Sequence, residues 1–213
     1  MSPESRAREE ICRIGESLYR RGYTVGSAGN ISARLDDGFL ITPTDACLGF
    51  LDPATLAKLD AQGRQVSGAR ASKTILLHRA VYEARPGTGG IVHTHSTSLV
   101  ALSLRPDVDR RDVLPPITPY FVMKVGHVPL IPYRRPGDPE VADLVLAQAG
   151  RVRAVLLERL GPLVWHDTVS AACFALEELE ETAKLWLMLR DAPPPPLSEA
   201  QIDDIRRTFK VDY

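Results

Sequence analysis

Apolar residues recur one helical turn apart near the start of the chain, at Ile11, Ile14 and Leu18. The dipeptide Ser2-Pro3 precedes them and combines an N-cap residue with a first-turn proline. This pattern predicts an N-terminal helix that ends at Gly22.

A longer apolar stripe with the same period lies near the other end of the sequence, at Ala172, Leu176, Leu179, Ala183 and Leu187. Thr168 stands where such a helix would be capped. Glu180 and Lys184 are four residues apart, and we expect them to form an ion pair on the outer side of this helix.

Four more helices are predicted from start and stop signals. Ser72 is predicted to cap a helix that runs to about Arg85, where Pro86 stops it. TSLVALSL is predicted to form the next helix, and Asp138-Pro139 to open another that reaches about Ala149. Ser198 and Gln201 form a capping box for a short terminal helix.

Short apolar runs bounded by turn residues predict strands at GFLIT, GGIVHTHS, RAVLLE and GPLVW. The proline-rich stretch from Pro106 to Pro136 is predicted to contain only strands and loops. Helices and strands mix without a steady βαβα alternation. We therefore expect a single-domain α/β protein, a three-layer α/β/α sandwich with a mostly antiparallel central sheet. The domain should span residues 1–190, and residues 191–213 should form a proline linker and a C-terminal helix.

Composition and charge narrow the class of protein. The 213 residues are 44% hydrophobic and 25% charged, values typical of a globular chain, and the net charge of -1 provides no basic field for nucleic acid. The three cysteines lie far apart, which argues against a disulfide framework. The polar N-terminus predicts no signal peptide, and the apolar run at Leu185–Leu189 is too short for a membrane span. We expect a cytoplasmic protein without nucleic-acid or membrane partners.

Candidate chemistry begins with His93 and His95, at the end of an apolar run. Residues i and i+2 of a strand project from the same face, so the two imidazoles can share one divalent metal ion. The alternative is a pair of histidines that are hydrogen-bonded within the sheet.

Three further segments carry groups that can contact an anion. The small-residue loop Gly26–Asn30 lets backbone N–H groups approach a ligand closely, although a plain connector would have the same composition. Thr42 and Thr44 offer hydroxyl groups at a strand end. Ser72-Lys73 stands at a predicted helix N-terminus, where phosphate is favoured, or serves only as a cap.

The order of these segments resembles the class II aldolase/adducin family. The matching segments are GSAGNISAR, ITPT, ASKTILLHRAVYEARPGTGGIVHTHS, ITPYFVMKVGHVPLIPYRRPGDPEVA and ALEELEETAKLWL. The resemblance covers roughly residues 8 to 190, and the middle and late segments most resemble the 3-oxo-tetronate 4-phosphate decarboxylases. It implies the class II aldolase fold and homotetramers with sites between subunits.

The resemblance also implies roles for individual residues. His93 and His95 match the metal ligands of the family, and the expected cofactor is a divalent ion, Zn²⁺ above all. Tyr120 matches a tyrosine that is contributed to the site of a neighbouring subunit. The expected phosphate-binding residues are Ser27, Asn30, Thr44, Asp45, Ser72 and Lys73.

Two positions depart from the family pattern. A carboxylate usually stands four residues before the helix histidine, here His78, but this chain has Thr74. The third metal histidine of the family corresponds to Leu160, which cannot bind a metal. His78 itself is interpreted as a packed helix residue.

Three residues are candidates to make up for the missing ligand. His166 and Glu158 carry donor atoms near the predicted strand ends. Arg159 could instead replace the charge of the metal and act as a catalytic residue beside Thr74 and Tyr120.

The chemistry that the resemblance implies is the metal-assisted decarboxylation of a 3-oxo-tetronate 4-phosphate through an enediolate, giving a triose phosphate and CO₂. Aldol cleavage also requires a base, whereas decarboxylation does not. The threonine at position 74 is therefore less damaging to a decarboxylase. A class II sugar-phosphate aldolase and a non-catalytic, adducin-like scaffold remain the alternatives.

Overall fold

An eight-stranded sheet is the centre of the computed structural model, which describes residues 1–211 and 213. The strands in chain order are β1 (Asn30–Leu35), β2 (Gly38–Ile41), β3 (Ala57–Asp60), β4 (Gln65–Ser67), β5 (Gly90–His93), β6 (Leu130–Ile131), β7 (Ala154–Leu157) and β8 (Gly161–His166). Their order across the sheet is β4-β3-β2-β1-β5-β8-β7-β6. All neighbouring pairs are antiparallel except β6 and β7.

Seven α-helices accompany the sheet in the part of the chain that the structure describes. They are α1 (Pro3–Arg20), α2 (Ile75–Ala84), α3 (Thr97–Ser103), α4 (Pro119–Lys124), α5 (Glu140–Ala149), α6 (Val169–Met188) and α7 (Glu199–Phe209). The predicted mixed α/β fold with a mostly antiparallel sheet is confirmed. The domain boundary near residue 190 stays a prediction.

Two hydrophobic cores lie on opposite faces of the sheet, because successive strand residues point to opposite sides. Val92 and Val164 pack with α1, α3, α4 and α6. Ile91 and Trp165 pack on the other face with α2 and α5. His93 shares the face of Ile91, so its side chain lies on the α2 and α5 side of the sheet.

The predicted caps of three helices are confirmed. The Ser2 side chain accepts a hydrogen bond from the backbone of Ser5, with Pro3 in the first turn of α1. Thr168 caps α6 in the same way. Ser198 and Gln201 form the reciprocal capping box of α7. These contacts lie within one turn of the chain, and local sequence therefore predicts them well.

Two predictions about local structure are wrong. α2 begins at Ile75 rather than directly after Ser72, whose hydroxyl instead lies 2.8 Å from that of Thr74. The stretch predicted to hold only strands and loops contains α4. Thr118 caps this helix and Pro119 occupies its first turn, a proline position that favours a helix start.

The predicted outer ion pair between Glu180 and Lys184 is also wrong. Glu180 is buried, and its carboxylate accepts hydrogen bonds from the backbone N–H groups of Ser98 and Leu99, at 2.7 and 3.0 Å. Lys184 lies 3.7 Å from Glu181 instead. The helix pattern identified the face of α6 that packs on the sheet, but α3 covers part of the side expected to be exposed.

No helix in residues 1–211 and 213 combines the length and the apolar character that crossing a membrane would require.

Candidate functional site

A cavity of about 300 Å³ lies at the ends of the central strands β1 and β5. Nine of the predicted catalytic, phosphate-binding and metal-binding residues line it: Ser27, Asn30, Thr44, Asp45, Ser72, Lys73, Thr74, His93 and His95. They come from four separate segments that the fold brings together. A larger cavity of about 520 Å³, between the end of α6 and residues 105–115, contains none of them.

Strand register explains how the centre of this site is built. Asn30, the first residue of β1, pairs directly with His93, the last residue of β5. His93 in turn pairs with Leu163 of β8. The prediction that both histidines lie on one strand is wrong, because β5 ends at His93. His95 reaches the same cavity from the segment before α3.

The two histidines are arranged as neutral imidazoles. Their ring centroids are 5.1 Å apart, edge to face. His93 Nδ1 lies 2.7 Å from the carbonyl oxygen of Pro162, which can only accept, so Nδ1 carries the proton and Nε2 keeps its lone pair. Burial lowers the pKa of His93 to about 4, with a contribution from His95, and burial also lowers the pKa of His95. Both rings are therefore suited to donate to a cation at neutral pH.

In the part of the chain that the structure describes, neither Glu158 nor His166 takes the place of the missing third ligand. Leu160 lines the cavity with an apolar side chain. Glu158 binds Arg110 at 2.9 Å, which holds the pKa of this carboxyl below its usual range. His166 Nε2 lies 3.0 Å from Arg153 Nη1. Over the described residues, no three His, Cys, Asp or Glu side chains are grouped so as to hold a metal ion.

The donor set therefore fits a divalent ion in part. Two imidazole nitrogens are available, and a four-coordinate ion would take its remaining ligands from water or substrate.

The small-residue loop packs tightly under the cavity. Gly29 has a φ of +86°, and a Cβ at this position would lie 2.7 Å from the carbonyl oxygen of His93. Only glycine is compatible with both the conformation and the contact. The loop can therefore place Ser27 and Asn30 beside the histidines.

A basic loop completes the cavity, and the sequence reasoning did not assign it to the site. Arg134 and Arg135, with Gly137 of the same loop, line the cavity. Glu140 holds Arg134 through two hydrogen bonds of 2.9 and 2.6 Å. The Arg135 guanidinium is 3.9 Å from Asp138 and largely exposed. The signal in the sequence that could have predicted this part of the site is the pair of adjacent arginines followed by proline and glycine.

Two of the predicted catalytic residues lie outside this cavity. Tyr120 is 55% exposed on α4, beside Phe174 and Glu178. Arg159 is exposed in the turn between β7 and β8, where its φ is +67° and its backbone N–H donates to Ser103 Oγ at 3.0 Å. Their catalytic roles stay predictions.

A family model, curated proteins and solved structures all match most or all of this chain. The family model "Class II Aldolase and Adducin N-terminal domain" matches residues 9–187. A 3-oxo-tetronate 4-phosphate decarboxylase from Cupriavidus necator is 67% identical over 217 residues, which cover 100% of both chains. A protein of the same name from Escherichia coli K12 is 45% identical over 204 residues, covering 95% of this chain and 96% of that protein. The crystal structure of YgbL from Escherichia coli has a TM-score of 0.93 and 44% identity, and the match covers 96% of this chain and 100% of that chain.

Proposed function

Because the chain belongs to the class II aldolase and adducin family, we propose that it is a lyase that decarboxylates a 3-oxo-tetronate 4-phosphate. The products would be dihydroxyacetone phosphate and CO₂. The observation that carries the proposal is one cavity that combines two neutral imidazoles with two cations, Lys73 and Arg135. The high identity to named decarboxylases over the full length supports the same substrate.

Three basic side chains and one carboxylate, that of Asp45, line the cavity. Glu140 already binds Arg134, so Lys73 and Arg135 are left to bind two anionic groups of a substrate. In the part of the chain that the structure describes, no carboxylate lies within 4 Å of the Lys73 ammonium group, and the nearest to Arg135 is at 3.9 Å. Lys73, with the hydroxyl groups of Ser27, Thr44 and Ser72, would bind the phosphate. Arg135 would bind the carboxylate, since a guanidinium matches its geometry.

The family is generally dependent on a divalent metal, and His93 and His95 would hold that ion here, Zn²⁺ being the ion that we propose. When bound, a divalent ion stabilises negative charge on the oxygen of the 3-oxo group. The Pro162 carbonyl fixes the His93 ring in the orientation that leaves Nε2 free. His93→Ala should therefore abolish both metal binding and turnover.

The proposed decarboxylation requires no general base, and its only proton transfer is the protonation of C2. The bond between C1 and C2 of the substrate breaks, CO₂ departs, and the electron pair passes into the enediolate. C2 then takes a proton, and no group has to remove one. Thr74, which stands where the family usually has a carboxylate, lines the cavity beside Ser72 and is compatible with this sequence of steps.

The direct test is turnover by purified protein supplied with a divalent metal. We expect release of CO₂ and dihydroxyacetone phosphate from 3-oxo-tetronate 4-phosphate, and little cleavage of L-fuculose 1-phosphate. Cleavage of the sugar phosphate without decarboxylation would favour an aldolase. Absence of both activities in metal-loaded protein would favour an adducin-like scaffold.

Lys73→Ala tests the phosphate assignment. We expect the KM of the phosphorylated substrate to rise about 10- to 100-fold, because a charge-assisted hydrogen bond is lost. The unphosphorylated analogue should be affected little. Lys184→Ala, on the exposed side of α6, is the matched control. Equal losses for both substrates would contradict the assignment.

Arg135→Gln tests the carboxylate assignment. It should weaken the binding of the 3-oxo acid by about 10-fold or more and leave the binding of dihydroxyacetone phosphate, which has no carboxylate, nearly unchanged. Arg111→Gln removes a 90% exposed arginine outside the cavity and serves as the control. An equal effect on both ligands would be evidence against Arg135 as the carboxylate ligand.

Assembly is part of the same proposal. The exposed Tyr120 would complete the site of a neighbouring subunit in a cytoplasmic homotetramer. Light scattering together with an activity assay tests this arrangement, and a fully active monomer would refute it.

A further inference from the structure

Four buried polar side chains form a continuous chain of hydrogen bonds that starts at the cavity. Asn30 Oδ1 is 2.6 Å from His78 Nε2, and His78 Nδ1 is 2.7 Å from Ser32 Oγ. Ser32 Oγ is also 2.8 Å from the hydroxyl of Tyr82. All four residues are buried, and His78 and Ser32 are 0% exposed.

Two regular spacings, one on β1 and one on α2, bring these four hydrogen-bonded side chains together. Asn30 and Ser32 are two residues apart on β1 and project from the same face. His78 and Tyr82 are four residues apart on α2, and so they lie one above the other on the helix side that packs on β1. The two strand side chains and the two helix side chains therefore lie opposite one another, and hydrogen bonds link them in the order Asn30, His78, Ser32 and Tyr82.

The donor and acceptor properties of these groups determine the direction of each hydrogen bond. An amide oxygen only accepts, so His78 Nε2 must carry the proton and donate to Asn30. Burial lowers the pKa of His78 to about 3, so the ring is neutral and holds a single proton. Nδ1 must then accept from the Ser32 hydroxyl, whose oxygen accepts from Tyr82.

The amide nitrogen of Asn30 is left facing the cavity. Among the side-chain atoms that the structure describes, only Trp165 Nε1 and Thr182 Oγ1 are fully buried without a hydrogen-bond partner. Asn30 Nδ2 has no hydrogen bond to the described residues, so it must keep contact with the open space of the cavity that Asn30 lines.

We propose that His78, Ser32 and Tyr82 are positioning residues that hold the Asn30 carboxamide with its two N–H donors aimed at the substrate. Without them the amide is free to turn its oxygen towards an anionic ligand, which it would repel. This assignment rests on the proposed function for the nature of the ligand, a phosphorylated acid or its triose phosphate product. The hydrogen-bond direction itself is independent of that function.

The first test reads the tautomer of His78 directly. With ¹⁵N-labelled histidine, long-range ¹H–¹⁵N spectra distinguish a protonated Nε2 from a protonated Nδ1, and His78→Gln identifies the signal among the five histidines. We expect the Nε2–H form in the native protein. An Nδ1–H form would reverse the chain of donors and overturn the proposal.

The second test is a double-mutant cycle between Ser32→Ala and Asn30→Asp, which keeps the acceptor for His78 but removes the donors. We expect each single variant to weaken the binding of dihydroxyacetone phosphate by about 10-fold or more. Ser32→Ala should add less than about 2-fold in the Asn30→Asp background, because it acts through Asn30. Additive effects would overturn the proposal.

If Ser32→Ala does not fold, Tyr82→Phe replaces it in the double-mutant cycle with Asn30→Asp. Tyr82→Phe removes only the hydroxyl group and keeps the aromatic ring stacked on Phe39, at a centroid distance of 4.8 Å. Tyr19→Phe, on α1 and away from the cavity, is the matched control and should leave binding unchanged. For each variant, the binding of dihydroxyacetone phosphate is measured by calorimetry, in addition to turnover. A protein that does not decarboxylate, but still shows the expected tautomer and coupling, would refute the proposed reaction and leave the positioning role standing.

Discussion

The buried carboxylate of Glu180 is expected to hold the start of α3, the helix that begins two residues after His95. Its two oxygens accept from the backbone N–H groups of Ser98 and Leu99, at 2.7 and 3.0 Å. Glu180→Gln keeps the shape but turns one acceptor into an NH₂ group that faces an N–H donor. Each hydrogen bond to a charged group contributes about 1.5–3 kcal/mol, and a buried unsatisfied donor costs about 1–3 kcal/mol. We therefore expect the free energy of unfolding to fall by about 2–4 kcal/mol.

Chemical denaturation followed by circular dichroism measures this loss, at fixed protein concentration. Glu181→Gln is the matched control, because the neighbouring side chain is 51% exposed and contacts Lys184 at 3.7 Å. The control should change the free energy of unfolding by no more than about 0.5 kcal/mol. If the two variants unfold at the same denaturant concentration, the reasoning about the buried carboxylate is refuted.

Three further predictions concern the metal, acid stability and thiol reactivity. Leu160→His should strengthen the binding of Zn²⁺ measured by calorimetry, because it adds a third imidazole at the cavity wall; unchanged affinity would mean that the turn points the new ring elsewhere. Because the pKa of His78 is lowered from 6.5 to about 3 in the folded protein, the unfolded state binds more protons below pH 6.5, and stability falls with pH from there towards pH 3. This group alone should remove about 2 kcal/mol between pH 7 and pH 5 in denaturation curves, and His78→Gln should flatten that slope. Burial raises the pKa of the Cys173 thiol to about 12, so iodoacetamide at pH 8 should alkylate it only after unfolding, as mass spectrometry would show.

Local features of the sequence predicted much of the architecture. The caps at Ser2, Thr168 and Ser198 involve partners within one helical turn, and the structure confirms all three. The apolar runs before His93 and around Gly161 were sufficient to identify β5, β7 and β8. The order of several short motifs predicted membership of the family, because together they are far more specific than any single one.

Three strands were not predicted from the sequence, β1, β3 and β4. β1 (NISARL) and β3 (AKLD) do alternate between polar and apolar residues, but each run is short, and β4 has only three residues. β1 was included in a glycine-rich loop motif, yet it is a central strand between β2 and β5. Its place in the sheet is determined by pairing with strands that are distant in sequence.

The site shows the same division. The amino-acid sequence by itself determined which residue types are present for chemistry, including the pair His93 and His95 and the leucine at position 160. Only the tertiary structure decided that Glu180 is buried beneath α3 and that Arg135 reaches the cavity. It also decided that the Asn30 amide is held by His78. These outcomes depend on contacts between elements that are 40 or more residues apart, where spacing along the chain carries no information about which side chains meet.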